Sequence, residues 1–234
     1  MKKSHIATLI VFFVLIPLTL IVGSRLSGRA FYVTSTLVIV ELLIPFFLAF
    51  EGRRPQAREL VVLAVMCALA VAGRVAIPIP SFKAIFAVIM IAGIAFGPES
   101  GFLVGAISAL ASNFFYSQGP YTPWQMMAYG AGGMLAGFLF AEGRLPRKPV
   151  IIGIFGLLAV AFFVGPLLDT CSVFLVMSRI SLKGAMAFYV SGFPVNLRQA
   201  VATAIVLLGK PLLEKLDRIK TKYGILDDEG RKEA

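Results

Sequence analysis

Apolar runs that read as candidate membrane spans, two of them (82–97 and 100–116) short, recur eight times in these 234 residues, and nothing constrains the fold more strongly. They lie roughly at 6–22, 31–50, 59–79, 82–97, 100–116, 123–141, 149–177 and 186–213, separated by charges and Pro/Gly clusters. A spanning helix takes about 20 residues, so eight would use about 160 and leave little for a soluble domain. Composition agrees. Hydrophobic residues make up 59% of the chain and charged residues 15%, against about 45–50% and roughly 25% in ordinary soluble domains. The mean hydropathy is +0.90. A soluble globule, a disordered chain and a disulfide scaffold are excluded. The expectation is an all-α integral membrane protein.

Lys/Arg distribution predicts the orientation. With eight spans and the N-terminus inside, fifteen of the 22 basic residues face the cytoplasm, six face outward, and Arg198 lies within a span. Both termini are therefore expected in the cytoplasm. The first run follows Met1-Lys2-Lys3 but lacks a convincing small-x-small cleavage site, so it reads as a helix. The net charge of +10 needs no more than basic flanks meeting anionic lipid. Because the basic residues are scattered between spans, no nucleic-acid partner is expected.

Composition also divides the chain. Residues 1–57 form a glycine-poor hairpin followed by a basic loop, an accessory element. Residues 58–223 form a six-span core rich in Gly and Ala, ending in a tail whose Leu/Ile residues alternate with charges at helical spacing. Residues 224–234 are a polar tail. Run 149–177 exceeds one perpendicular crossing and must tilt, extend, or kink at Gly165-Pro166.

Enzyme chemistry finds little purchase. The single histidine, His5, sits in the N-terminal tail, so a His-based catalytic unit or an HExxH zinc site inside the membrane is not available. Cys67 and Cys171 lie in apolar stretches and read as buried thiols. There is no GxxxxGK[ST] loop for ATP. Neither a metal nor a cofactor is expected.

Three constellations remain. Ala64, Ala68 and Ala72 recur at i, i+4, i+8, as do Gly101, Gly105 and Ala109, with Gly133 and Gly137 following the same spacing. Small residues so placed flatten a helix face and admit another helix, within the chain or from a partner. The stretch Asn113 to Gln125 carries Gln118, Tyr121, Trp124 and Gln125 around Gly119-Pro120 and Pro123. It suits an organic ligand with apolar faces and hydrogen-bonding groups, or an interfacial aromatic belt. Asp169 and Arg198 sit inside spans, about 12 and 18 Å from the outer ends at helical rise. They are placed to pair, with Asn196 and Gln199 close by in sequence. Glu41 sits mid-span in the hairpin with no partner evident, and Arg74 is near enough to an outer end to snorkel.

Several stretches together resemble the substrate-binding S component of an energy-coupling factor (ECF) vitamin transporter. They are Arg58 to Arg74, Phe96-Gly-Pro-Glu-Ser-Gly-Phe-Leu-Val-Gly105, Asn113 to Gln125, Gly192-Phe-Pro-Val-Asn-Leu-Arg198 and Leu208 to Leu216. The resemblance covers about 58–223. It implies a six-helix core that binds a vitamin from outside and has no ATPase. The core would dock on a membrane scaffold subunit driven by two ABC-type ATPases. It further implies that Ala64, Ala68 and Ala72 form the docking surface. The ligand site would draw on Asn113, Gln118, Tyr121, Trp124, Gln125, Asp169, Asn196 and Arg198. The hairpin departs from the six-span pattern. Gly119-Pro-Tyr-Thr-Pro-Trp-Gln125 most resembles members assigned to cobalamin or related corrinoids. Others take queuosine precursors, folate, pantothenate, thiamine or riboflavin. A membrane hydrolase and a proton or ion carrier using Glu41, Asp169 and Arg198 are the competing classes.

Overall fold

The computed structural model describes residues 56–224 apart from 77–78, 81, 142, 178–180 and 210, together with scattered positions between 15 and 44. Most of the expected hairpin 1–57 and all of the tail 225–234 lie outside the described residues. Among the described residues every regular element is helical. The helices are α1 (Ala57–Val75), α2 (Ile85–Phe96), α3 (Pro98–Tyr116), α4 (Thr122–Phe140), α5 (Pro149–Ala159), α6 (Gly165–Val176), α7 (Leu182–Leu208) and α8 (Pro211–Tyr223).

Helix α2 is the axis. All of its twelve residues are buried, as an all-apolar helix requires. At about 18 Å it is shorter than the roughly 30 Å hydrocarbon layer, so run 82–97 does not cross alone. Gly97, at φ 94°, reverses the chain, and Pro98 opens α3. Only glycine takes that backbone angle freely, and the fixed φ of proline suits the first helical turn.

Helices α2, α3 and α4 meet backbone to backbone. A Cβ on Gly93 or Gly101 would strike the Gly133 carbonyl. One on Gly133 would strike the Gly101 carbonyl, and one on Gly137 would fall 2.6 Å from Pro98 Cα. The Gly101/Gly105 and Gly133/Gly137 stripes are thus consumed inside the chain. Ala64, Ala68 and Ala72 remain exposed on α1. Identical spacing serves two ends, and only the neighbours distinguish them.

The long run 149–177 is one 28-residue apolar helix, Pro149–Val176. A π-helical turn, Val160–Val164, joins α5 to α6 directly before Gly165-Pro166. Pro166 has no N–H to donate, and its ring crowds the carbonyl four residues back. The wider turn absorbs that crowding. A Cβ on Gly165 would run into the Asn196 side chain, so this is where α7 crosses.

The bundle has two chemically distinct ends. At the tail end, α8 folds back on α2: Leu216 is buried in the main core, and Lys220 Nζ donates to the Ala95 carbonyl at 2.5 Å. An ammonium on the last carbonyls of a helix is favourable. Glu59 is wholly buried there and accepts from Ser100 Oγ. At the other end, the loop end, α3 passes to α4 and α6 to α7.

Of the hairpin, a few anchored positions are described. Leu43 is buried with Phe102 and Ala106, against Met126, Met127 and Met134 of α4. Thr36 Oγ1 reaches the Pro120 carbonyl. Glu41, without an evident partner in sequence, accepts from Thr19 Oγ1 at 2.6 Å.

Candidate functional site

The loop between α3 and α4 is only five residues long, 117–121. Trp124 and Gln125, expected in that loop, stand in the first turn of α4, because Pro123 suits an early helical position rather than ending the helix. Asn113 belongs to the last turn of α3. The loop binds itself. Tyr121 Oη donates to the Ser117 carbonyl at 2.8 Å, Thr122 Oγ1 donates to Gln118 Oε1 at 2.9 Å, and Gln118 Nε2 donates to the Leu110 carbonyl at 3.0 Å. Ser117 holds φ 87°, a left-handed conformation that a non-glycine residue adopts only where its surroundings fix it.

Beneath the loop lies the first cluster. Asn113 is fully buried. Its amide nitrogen donates to Gln125 Oε1 at 2.8 Å and to Thr122 Oγ1 at 3.1 Å. Its Oδ1 accepts from Arg74 Nη1 at 2.9 Å, and that same nitrogen also reaches Ser112 Oγ. The Arg74 guanidinium lies 5.0 Å from the Tyr116 ring centre and 5.7 Å from that of Tyr129, within cation–π range. Arg74 therefore turns into the bundle instead of snorkelling. The sequence placed Asn113, Gln118 and Gln125 correctly in one neighbourhood. It missed Arg74, Ser112 and Thr122. Arg74 was read only as a residue that snorkels, Thr122 only as part of the Gly119 to Gln125 stretch, and Ser112 carried no signal.

A second cluster joins α4 to α6. Trp124 stacks on Phe174 with ring centres 5.4 Å apart and planes 26° apart. Cys171 is buried with it, and Tyr121, Met127 and Leu175 pack around. Trp124 Nε1 is buried and has no acceptor among the described residues. Most buried N–H groups are bonded, so an orphan calls for an explanation. Phe174 had no sequence signal, since it is one of 20 phenylalanines.

The third cluster lies deeper, between α6 and α7. Asn196 Nδ2 donates to Asp169 Oδ2 at 2.7 Å, and the hydroxyls of Thr170 and Tyr189 lie 2.9 Å apart. Gly192 leaves room for the Asp169 carboxyl, which a Cβ would strike. The expected Asp169–Arg198 pair does not form. Asn196 and Arg198 are two residues apart, about 200° around a helix. Asn196 therefore faces α6 and is buried, while Arg198 faces away and is exposed. Counting residues along the spans says nothing of azimuth, and azimuth was misread.

A thermodynamic cycle separates the two arrangements. Asp169→Leu leaves the buried Asn196 amide unsatisfied, at about 1–3 kcal/mol. Adding Asn196→Leu should recover part of that loss. Asp169→Leu and Arg198→Leu should instead add to within about 0.5 kcal/mol, as for residues without contact. Thermal unfolding in detergent measures all of these variants.

The fold and these clusters define a helical membrane protein with polar and aromatic groups gathered at one end. The ECF-type riboflavin transporter S component family matches residues 55–218. The chain belongs to that family. Its members are transporter subunits rather than enzymes, and they work with a scaffold and an ATPase module. Comparison with curated proteins and with solved structures gave no match.

Proposed function

We propose that this chain is the substrate-binding S component of an ECF importer, capturing a vitamin at the loop end of the bundle. In this reading the loop end faces outward and both termini lie in the cytoplasm. The vitamin passes through a membrane scaffold subunit driven by two ATPases. Trp124 carries the proposal. A stacked Trp–Phe pair with an unsatisfied, buried indole N–H at a bundle end suits a ring-bearing ligand that supplies an acceptor. Asn113, Gln118, Tyr121 and Gln125 frame the entry, and Asp169 and Asn196 lie deeper along the same end. Arg198, facing away, is left out of the site. Riboflavin is the first ligand to test because the family description names it. Cobalamin is the second, on the resemblance of Gly119 to Gln125. A proton or ion carrier would need a polar path through the bundle, and the wholly apolar α2 at its centre opposes one.

Trp124 is the only tryptophan, so fluorescence reports on one place. Purified protein should show a saturable change on adding riboflavin or cobalamin, without ATP or partners. Both vitamins absorb light, so Trp124→Phe serves as the inner-filter control and calorimetry gives the stoichiometry. Aromatic stacking on a base is worth about 1–3 kcal/mol in nucleic-acid sites. On that scale, Trp124→Ala should weaken binding roughly tenfold to a hundredfold, and Trp124→Phe should recover part. Unchanged affinity in Trp124→Ala would move the site elsewhere.

A further inference from the structure

Arg198 is the anomaly that the binding reading leaves unused. Helix α7 has 27 residues, about 40 Å at helical rise, and Arg198 stands about 24 Å from Leu182 and 15 Å from Leu208. This is near the middle of a roughly 30 Å hydrocarbon layer. The buried face of α7 carries Asn196, Ala200, Thr203 and Leu207. Arg198 lies on the opposite face, among exposed Leu197, Val201 and Ile205. A guanidinium on the lipid side at this depth is costly, and such residues mark a functional contact. Among the described residues no hydrogen bond or ion pair reaches Arg198. The carboxyl of Asp169 is held by Asn196 on the far side of α7, and that of Glu41 by Thr19.

We infer that Arg198 pairs, inside the bilayer, with an Asp or Glu carboxylate on a helix of a partner membrane subunit. Lipid phosphates lie at the headgroups, beyond the depth from which a side chain near a helix end snorkels. A vitamin entering at the loop end meets the Asn196 side of α7. A second transmembrane helix brings a carboxylate to this depth on the apolar face, and the planar guanidinium suits bidentate pairing with it. The inference rests on the S-component reading only in requiring a membrane partner. Arg198 would then be a second contact point, on α7, besides the small-residue face of α1.

The test is co-expression with the scaffold and ATPase proteins of the same organism, purification in nanodiscs, and measurement of scaffold recovered per S component. Arg198→Leu and Arg198→Met should fold as well as the parent in detergent, bind the same vitamin with unchanged affinity, and lose scaffold recovery by at least tenfold. Arg198→Lys should retain part of it. Arg198→Glu should be rescued by exchanging one membrane-embedded scaffold carboxylate for arginine. Full recovery with both apolar variants overturns the inference, and so does weakened vitamin binding, which would return Arg198 to the ligand site. Failure of the parent to recover any scaffold would sink the assembly reading as a whole. Parental assembly with intact Arg198→Leu assembly would sink this inference alone.

Discussion

Gly133→Leu should abolish accumulation of folded, monodisperse protein, the most severe effect expected of any single substitution in this chain. Gly133 sits where α2, α3 and α4 converge. A Cβ there would press on the Gly101 carbonyl and fall 2.7 Å from Ile89 Cγ2. The reciprocal positions, Gly93 and Gly101, meet the Gly133 carbonyl. Apart from the Ile89 methyl these obstacles are backbone, which cannot swing aside as a side-chain tip can. Overpacking a well-packed core costs about 1–3 kcal/mol even when side chains yield. A four-carbon side chain driven between three helix backbones must separate the helices themselves. Gly133→Ala should give the graded version, a folded protein with a lower melting temperature. Size-exclusion profiles and thermal unfolding in detergent check both, with Ala64→Leu on the exposed face of α1 as the control that should leave them unchanged. A Gly133→Leu protein with parental elution and melting would mean that the three-helix junction is looser than its geometry.

Ala68→Trp should abolish energised uptake while leaving vitamin binding by the isolated subunit intact. Ala68 and Ala72 line an apolar groove of about 440 Å³ with Cys67, Val71 and Val75 of α1, Ala76 just beyond its end, and Ala111 and Phe115 of α3. Around it, Leu60, Val61, Val65 and Leu69 are exposed. Within lipid, apolar exposure alone drives no association. Close backbone approach across small residues does. An indole in the groove removes that approach without touching the loop-end clusters. Uptake of labelled riboflavin into proteoliposomes containing the whole assembly, beside calorimetry on the subunit alone, separates the two steps. If binding falls together with uptake, the stripe packs the subunit rather than docking it. A variant that transports normally would show that the scaffold sits elsewhere.

Much of this was legible along the chain. Long apolar runs can only be helices where no water satisfies the backbone, so the all-helical architecture followed from the runs at 59–79, 100–116, 123–141, 149–177 and 186–213. Run 149–177 was too long for one perpendicular crossing and was expected to tilt, extend or kink at Gly165-Pro166; the π turn at Val160–Val164 was not legible in it. The family, too, was recognisable from the order of short stretches. What was obscure depended on azimuth. Periodicity says that Ala64, Ala68 and Ala72 share a face, as do Gly133 and Gly137. It does not say which face meets a neighbour, and the structure gives the glycines to the interior and the alanines to the surface.

The same limit governed the charges. Depth in a span is counted along the sequence, and that count puts Asp169 and Arg198 at similar levels. Whether they meet depends on how α7 is rotated against α6, set by Gly165 and Gly192 admitting Asn196 and Asp169 to one another. Arg74 was likewise read as a snorkelling terminus until α3 brought Ser112 and Asn113 beneath it. Composition and hydropathy, which act through the transfer of each segment out of water, fixed the class of molecule and its helices. The pairing of side chains across helices is a property of packing, where close backbone contact leaves one rotation for each helix, and it alone decided which polar groups form the candidate site and which one, Arg198, was left facing outward.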